Sequence, residues 1–187
     1  MNTRKFIVAI GVMASTIGAA WLLGTQAGEL VSKSNAKDYQ ERRHEQTKQI
    51  LEQMSTINVG DTLPNYALED LNGKIWQLSE LIDDRAMITF FKPDCGACEQ
   101  QLDEFGKTAL EPSKLILISA DNPLHLKALA EADGIESVIL YDENRFLLEA
   151  LGITISPFNI VLNHSLVIER IEAGTMMADD LTREFEE

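Results

Sequence analysis

The chain has 187 residues, 45% of them hydrophobic, and a formal charge of −14 from 30 acidic and 16 basic side chains. That charge is uneven: up to Ile57 there are seven basic and five acidic side chains, and from Asn58 onward nine basic and twenty-five acidic. So acidic a C-terminal part argues against nucleic acid and anionic lipid as its partners, and two cysteines in all argue against a disulfide-stapled scaffold.

The first 27 residues read as a membrane signal-anchor. Arg4 and Lys5 precede residues 6–23, an uncharged and mostly aliphatic run. As a helix the run spans roughly 27 Å, close to the hydrocarbon thickness of a bilayer. Basic residues ahead of it keep the N-terminus in the cytoplasm and send the rest of the chain across. Thr25-Gln26-Ala27 offers small residues to a signal peptidase, but the apolar run is longer than a cleaved signal needs, which favours retention. The expectation is a single-pass protein of the cytoplasmic (inner) membrane with the part after the anchor extracytoplasmic or periplasmic. Residues 28–57 follow as a polar helical stalk, supported by Asp38 and Arg42 four apart. Ile50, Met54 and Ile57 make a narrow apolar stripe on its last turns.

Residues 58–187 suffice for one core. Residues 66–68 and 75–78 flank Leu71-Asn72-Gly73, a hairpin signal. Residues 86–91 form an apolar strand suited to the middle of a sheet. A helix is predicted from Cys95 towards Leu110, a buried strand over 115–120, and a helix over 123–132 with Pro123 in its first turn and Gly134 past its end. A strand over 137–141, a helix over 143–151 stopped by Gly152, and a hairpin of 158–162 with 166–171 complete the pattern. Alternating strands and helices between terminal hairpins predict an α/β fold with a mixed central sheet flanked by helices.

The chemistry concentrates in Cys95-Gly96-Ala97-Cys98, directly after the 86–91 strand. A bridge between these two would close too short a loop to constrain an unfolded chain, whereas the pair can interconvert between dithiol and disulfide locally. At a helix start the first sulfur also meets unpaired N–H groups that favour its thiolate. Half of a zinc site is the bland alternative, but no second cysteine pair or clustered histidines exist to complete it. No metal and no cofactor are expected. A strand, a turn, CxxC and a helix in this order are the signature of a thioredoxin-like redox site.

Three stretches together resemble the thioredoxin fold and, more narrowly, the membrane-anchored TlpA-like and ResA-like thiol-disulfide oxidoreductases of the redoxin (AhpC/TSA-related) group. They are Val59-Gly60-Asp61-Thr62-Leu63-Pro64 with the hairpin after it, Phe90-Phe91-Lys92-Pro93-Asp94-Cys95-Gly96-Ala97-Cys98, and Ile153-Thr154-Ile155-Ser156-Pro157 with Ile160-Val161-Leu162-Asn163. The unit over 137–151 is similar to the insertion that distinguishes TlpA-like proteins. The resemblance implies Cys95 as nucleophile, Cys98 as resolving thiol, and a redox-active Cys95–Cys98 disulfide. It also implies a cis bond before Pro157, with Ser156 and Pro157 binding an extended substrate. The implied partners are a disulfide-bearing secreted protein, an apocytochrome awaiting haem being one example, and a membrane thiol-disulfide electron donor.

Departures from the family pattern are specific. Asp94 stands where thioredoxin has tryptophan, Thr89 where it has a buried carboxylate, and Gln101 where ResA-like chains have glutamate. Glu99 is then the candidate proton relay for Cys98, against a plain reading as a solvated first-turn carboxylate. Asp94 and Glu99, as anions beside Cys95, are expected to oppose the helix terminus and leave its pKa not far below the free value of about 8.5. Two other functions stay open. A peroxiredoxin-like peroxidase shares the leading hairpin, although Cys95 occupies the place of its threonine; a Cu(I) chaperone of this fold would bind the metal with two thiolates.

Overall fold

The computed structural model describes residues 56–108 and 110–186. The expected anchor over 1–27 and the stalk up to residue 55 lie outside them. Among the described residues no helix is long and apolar enough to cross a membrane.

Seven strands form one mixed sheet in the order β2-β1-β5-β4-β3-β6-β7. They are β1 (Ala67–Asp70), β2 (Ile75–Gln77), β3 (Arg85–Phe90), β4 (Leu115–Ser119), β5 (Val138–Tyr141), β6 (Phe158–Asn163) and β7 (Ile168–Ala173). The β3, β4 and β5 strands run parallel; β1 and β2 extend the sheet antiparallel on one side, β6 and β7 on the other. The helices are α1 (Gly96–Gly106), α2 (Pro123–Asp133), α3 (Phe146–Ala150) and α4 (Ala178–Glu186).

The two-residue period of the strands sorts their side chains into two cores. Ile88, Phe90, Ile116 and Ile118 face one side with Leu147 and Leu148 of α3. Met87, Leu115 and Leu117 face the other with Cys98 of α1, Leu126 of α2 and Leu181 of α4. Both faces are covered, which is why β3 and β4 read as largely apolar runs. Ile57, the last stalk residue by sequence, is buried in the first core.

Local chemistry explains where elements depart from expectation. The β1 strand continues to Asp70, whose carboxylate accepts N–H groups of Asn72 at 2.8 Å and Lys74 at 3.0 Å and the Trp76 indole at 2.9 Å. Gly73 closes that turn with φ 84°. The helix read over 143–151 is shorter, because Asn144 and Arg145 both take left-handed backbone angles. Buried Asp142 instead accepts the N–H groups of Leu147 and Leu148, so α3 begins at Phe146. The β7 strand starts at Ile168, since Asn163 accepts from Ser165 and Val167 and Leu166 turns left-handed. Helix α1 stops at Gly106, short of Leu110.

Helix α4 was not read from sequence. Its signal was there: Leu181 and Phe185 four apart, with Asp179 and Asp180 in the first turn. Arg85 at the start of β3 and Arg170 of β7 both pair with Glu184, and Arg85 also with Glu169 at 2.6 Å. These part-exposed pairs orient the helix more than they stabilise it.

Candidate active site

Every parallel strand ends at the same edge of the sheet, and the cysteines lie just beyond β3. Cys95 is the residue capping α1, in extended conformation, and its carbonyl accepts N–H groups of Cys98 at 2.8 Å and Glu99 at 2.9 Å. That geometry leaves Cys95 half-exposed at the helix start and puts Cys98 one turn on, fully buried. Both are free thiols.

The two sulfurs are pushed apart in acidity. Burial raises the Cys95 pKa, but the Cys98 thiol, the N–H groups of Cys98 and Ala97, and the Lys92 ammonium outweigh it, so the net shift is down from the ordinary 9.0. Burial pushes Cys98 up to about 12, and the neighbouring Cys95 adds to that rise. The Lys92 N–H, 3.4 Å from the Cys98 sulfur, pulls the other way. Neither Asp94 nor Glu99 is among the main causes of the Cys95 shift, and Lys92 is. Both carboxylates are exposed, so water screens them. Glu99, the relay candidate, likewise is not among the groups that shift Cys98.

Opposite the thiols the Ser156–Pro157 bond is cis, as the resemblance implied. The Ser156 carbonyl lies 3.6 Å from the Cys95 sulfur and accepts its S–H when protonated. Pro157 is buried and its carbonyl accepts the Gly174 N–H at 2.9 Å. Cys95, Cys98, Ser156 and Pro157 thus come together, and Glu99 stays outside the group.

A strap and a buried polar chain escaped sequence reading. The Thr175 hydroxyl donates to the Ala97 carbonyl at 3.0 Å, tying the segment after β7 to the CxxC turn. Behind α1, the Thr89 hydroxyl donates to Asn159 Oδ1 at 2.7 Å, and Asn159 Nδ2 donates to the Gly174 carbonyl at 2.9 Å and to Gln101 Oε1 at 3.4 Å. Gln101 Oε1 also accepts the Met176 N–H at 2.7 Å, and its Nε2 donates to the Met176 carbonyl at 3.3 Å. Thr89, Gln101 and Asn159 are all buried. Thr89 and Gln101, the two departures from the resembled pattern, are thus buried neutral members of one hydrogen-bonded chain. The sequence signal was polar residues at strand and helix positions that face a core. Glu104, one turn beyond Gln101, accepts the Ala178 N–H at 2.8 Å and caps α4 from outside.

Among the described residues no cluster of three or more His, Cys, Asp or Glu side chains could hold a metal ion. A cleft of about 660 Å3 between the far ends of α1 and α2 contains neither cysteine.

Comparison with known proteins agrees with this geometry. The AhpC/TSA family profile matches residues 59–172. The thiol-disulfide oxidoreductase ResA of Halalkalibacterium halodurans is 25% identical over 138 residues, covering 71% of this chain and 78% of that protein. Peroxiredoxin Bcp of Escherichia coli is 27% identical over 108 residues, covering 54% and 67%. A solved structure described as a putative protein disulfide isomerase from Bacteroides thetaiotaomicron superposes with a TM-score of 0.63 at 18% identity, covering 71% of this chain and 91% of that one.

Proposed function

This chain belongs to the AhpC/TSA family, and from that premise we propose that it is a membrane-anchored, extracytoplasmic thiol-disulfide oxidoreductase that reduces disulfides of specific secreted proteins. The observation that carries the reading is the asymmetry of the two thiols: one half-exposed with a lowered pKa beside the Ser156 carbonyl, the other buried with a pKa of about 12.

The Cys95 thiolate attacks one sulfur of the substrate disulfide, forming a Cys95–substrate bond and releasing the other substrate sulfur as a thiolate. The Ser156 backbone beside the cis bond pairs with the extended substrate and holds its disulfide in line. Once Cys95 is in the mixed disulfide its negative charge is gone, and with it part of what raised Cys98. Cys98 then gives its proton to the departing thiolate and attacks Cys95, leaving the Cys95–Cys98 disulfide and a fully reduced substrate. Two electrons pass from the dithiol to the substrate, and a membrane dithiol donor returns them. No carboxylate is needed as base, which fits the neutral Thr89, Asn159 and Gln101 behind the site.

The test is trapping in the native cell. Cys98→Ser should accumulate mixed disulfides with its substrates, and Cys95→Ser should accumulate few; the reverse pattern overturns the assignment of roles. The likeness to peroxiredoxin Bcp sustains a second reading, peroxide reduction by the same thiols. Peroxide consumption that depends on Cys98 and not on Cys95 would favour it.

A further inference from the structure

The substrate-facing edge of the sheet carries a second feature that the thiol chemistry does not use. A groove of about 630 Å3 lies beyond the ends of β4 and β5, between Pro123 at the start of α2 and Tyr141, Glu143 and Phe146 around the start of α3, with Ile75 and Glu69 on its far wall. Helices α2 and α3 leave adjacent parallel strands for opposite faces of the sheet. Such a switch in direction opens a crevice at the carboxyl ends of the strands, where open α/β sheets bind ligands.

Its walls carry exposed apolar side chains. Phe146 is 63% exposed and Ile75 66%, the two largest apolar side chains left to solvent along the groove walls. Tyr66 meets the Phe146 ring edge-on with centroids 6.1 Å apart, so the ring is held in place although it faces water. Ahead of it, Asn144 and Arg145 sit at φ 56° and 62°. Left-handed angles at two consecutive non-glycine residues are sterically disfavoured, more so for Arg145 than for Asn144. That turn sets the start of α3, with Leu147 and Leu148 in the core and the Phe146 ring facing outward.

Charge narrows the occupant. The charged residues lining the groove are Glu69, Asp142 and Glu143, and no lysine or arginine lines it. Asp142 is buried and spent on the N–H groups of α3. Glu69 and Glu143 are exposed and face whatever enters. Distance links the groove to the chemistry: β5 lies two strand spacings from β3 and β1 lies three, roughly 10 to 14 Å from the strand whose end leads into Cys95. An extended chain covers that in about three to five residues.

We propose that this groove is a specificity subsite for the disulfide substrate, which takes a bulky apolar side chain next to a lysine or arginine, about four residues from the cysteine engaged by Cys95. The inference rests on the oxidoreductase reading for its substrate and deepens it.

The test uses the full-length protein in lipid nanodiscs and two synthetic peptides, each with one cysteine in a mixed disulfide with glutathione. One carries Phe-Lys four residues from the cysteine and the other Ser-Glu. The first should be reduced with a kcat/KM about tenfold higher. Phe146→Ser should close that gap while leaving reduction of the Ser-Glu peptide unchanged. Glu69→Gln with Glu143→Gln should narrow the gap and remove its salt dependence. Cysteine-free versions of both peptides, titrated by calorimetry, report the groove without the redox step. Binding of the Phe-Lys version that weakens about tenfold in Phe146→Ser supports the subsite even if neither disulfide peptide is reduced, a result that would overturn the oxidoreductase reading alone. Equal kinetics and equal binding of both peptides would overturn the subsite, as would a preference that survives Phe146→Ser. A dimer that dissociates in Phe146→Ser while no peptide binds would assign the groove to a second copy of the chain and likewise overturn it.

Discussion

Changing pH perturbs the two thiols separately, and the reduction potential reports both. Reducing the Cys95–Cys98 disulfide takes two electrons, and the number of protons taken up depends on which thiols remain protonated. Below the Cys95 pKa both sulfurs end protonated and the potential falls by about 59 mV per pH unit, a hundredfold change in the equilibrium for two electrons. Above it only Cys98 keeps a proton and the slope halves to about 30 mV. The break marks the Cys95 pKa and should lie below 9.0, because the Cys98 thiol, two backbone N–H groups and Lys92 together outweigh burial. The second break, to a flat line, should wait until about 12, where buried Cys98 ionises. Lys92→Met removes one stabilising charge and should move the first break upward, leaving the wild-type slopes on either side of it. The assay is equilibration with a dithiol buffer of known potential at each pH, paired with a thiolate absorbance titration of the reduced protein. A slope near 59 mV persisting past the ordinary cysteine value would refute the lowered Cys95, and a potential already flat by about pH 10 would refute the raised Cys98.

Gln101→Leu should destabilise the fold by about 2–4 kcal/mol in urea denaturation, since it strands the buried Met176 N–H and an Asn159 donor; a loss under 1 kcal/mol would show that about a methylene's worth of packing replaces the network. Glu104 has its pKa lowered from 4.5 by the Lys107 ammonium and the Ala178 N–H, against burial. A depressed carboxylate contributes stability that is complete above 4.5 and is lost as pH falls through the folded value, so Glu104→Gln should flatten the acid limb of the stability curve. An unchanged acid limb would remove Glu104 from that role. On topology, an impermeant thiol reagent should label Cys95 in intact cells with a permeable outer barrier, and the protein should sediment with membranes. Labelling only after lysis would place the catalytic part inside.

What the sequence by itself determined is what short-range physics controls. Largely apolar runs at β3 and β4 mark strands covered on both faces, Pro123 and Gly134 bracket α2, and two cysteines one helical turn apart after a strand announce dithiol chemistry. Each signal sits within a few residues, so a period or a spacing is enough to see it. The cis bond at Pro157 was legible only through the family resemblance, since the residues around it look the same in either geometry. Tertiary structure decided the rest. Thr89, Asn159 and Gln101 are separated by 70 and 58 positions along the chain, and only strand pairing and helix docking make them one hydrogen-bonded chain. Asp94 and Glu99 are near Cys95 in sequence, yet both are exposed, and the Cys98 thiol, backbone N–H groups and Lys92 lower its pKa against burial. Sequence distance measures neither solvent screening nor orientation. Electrostatics at a thiol depends on both, and both exist only once the sheet has brought its edges, loops and helix ends together.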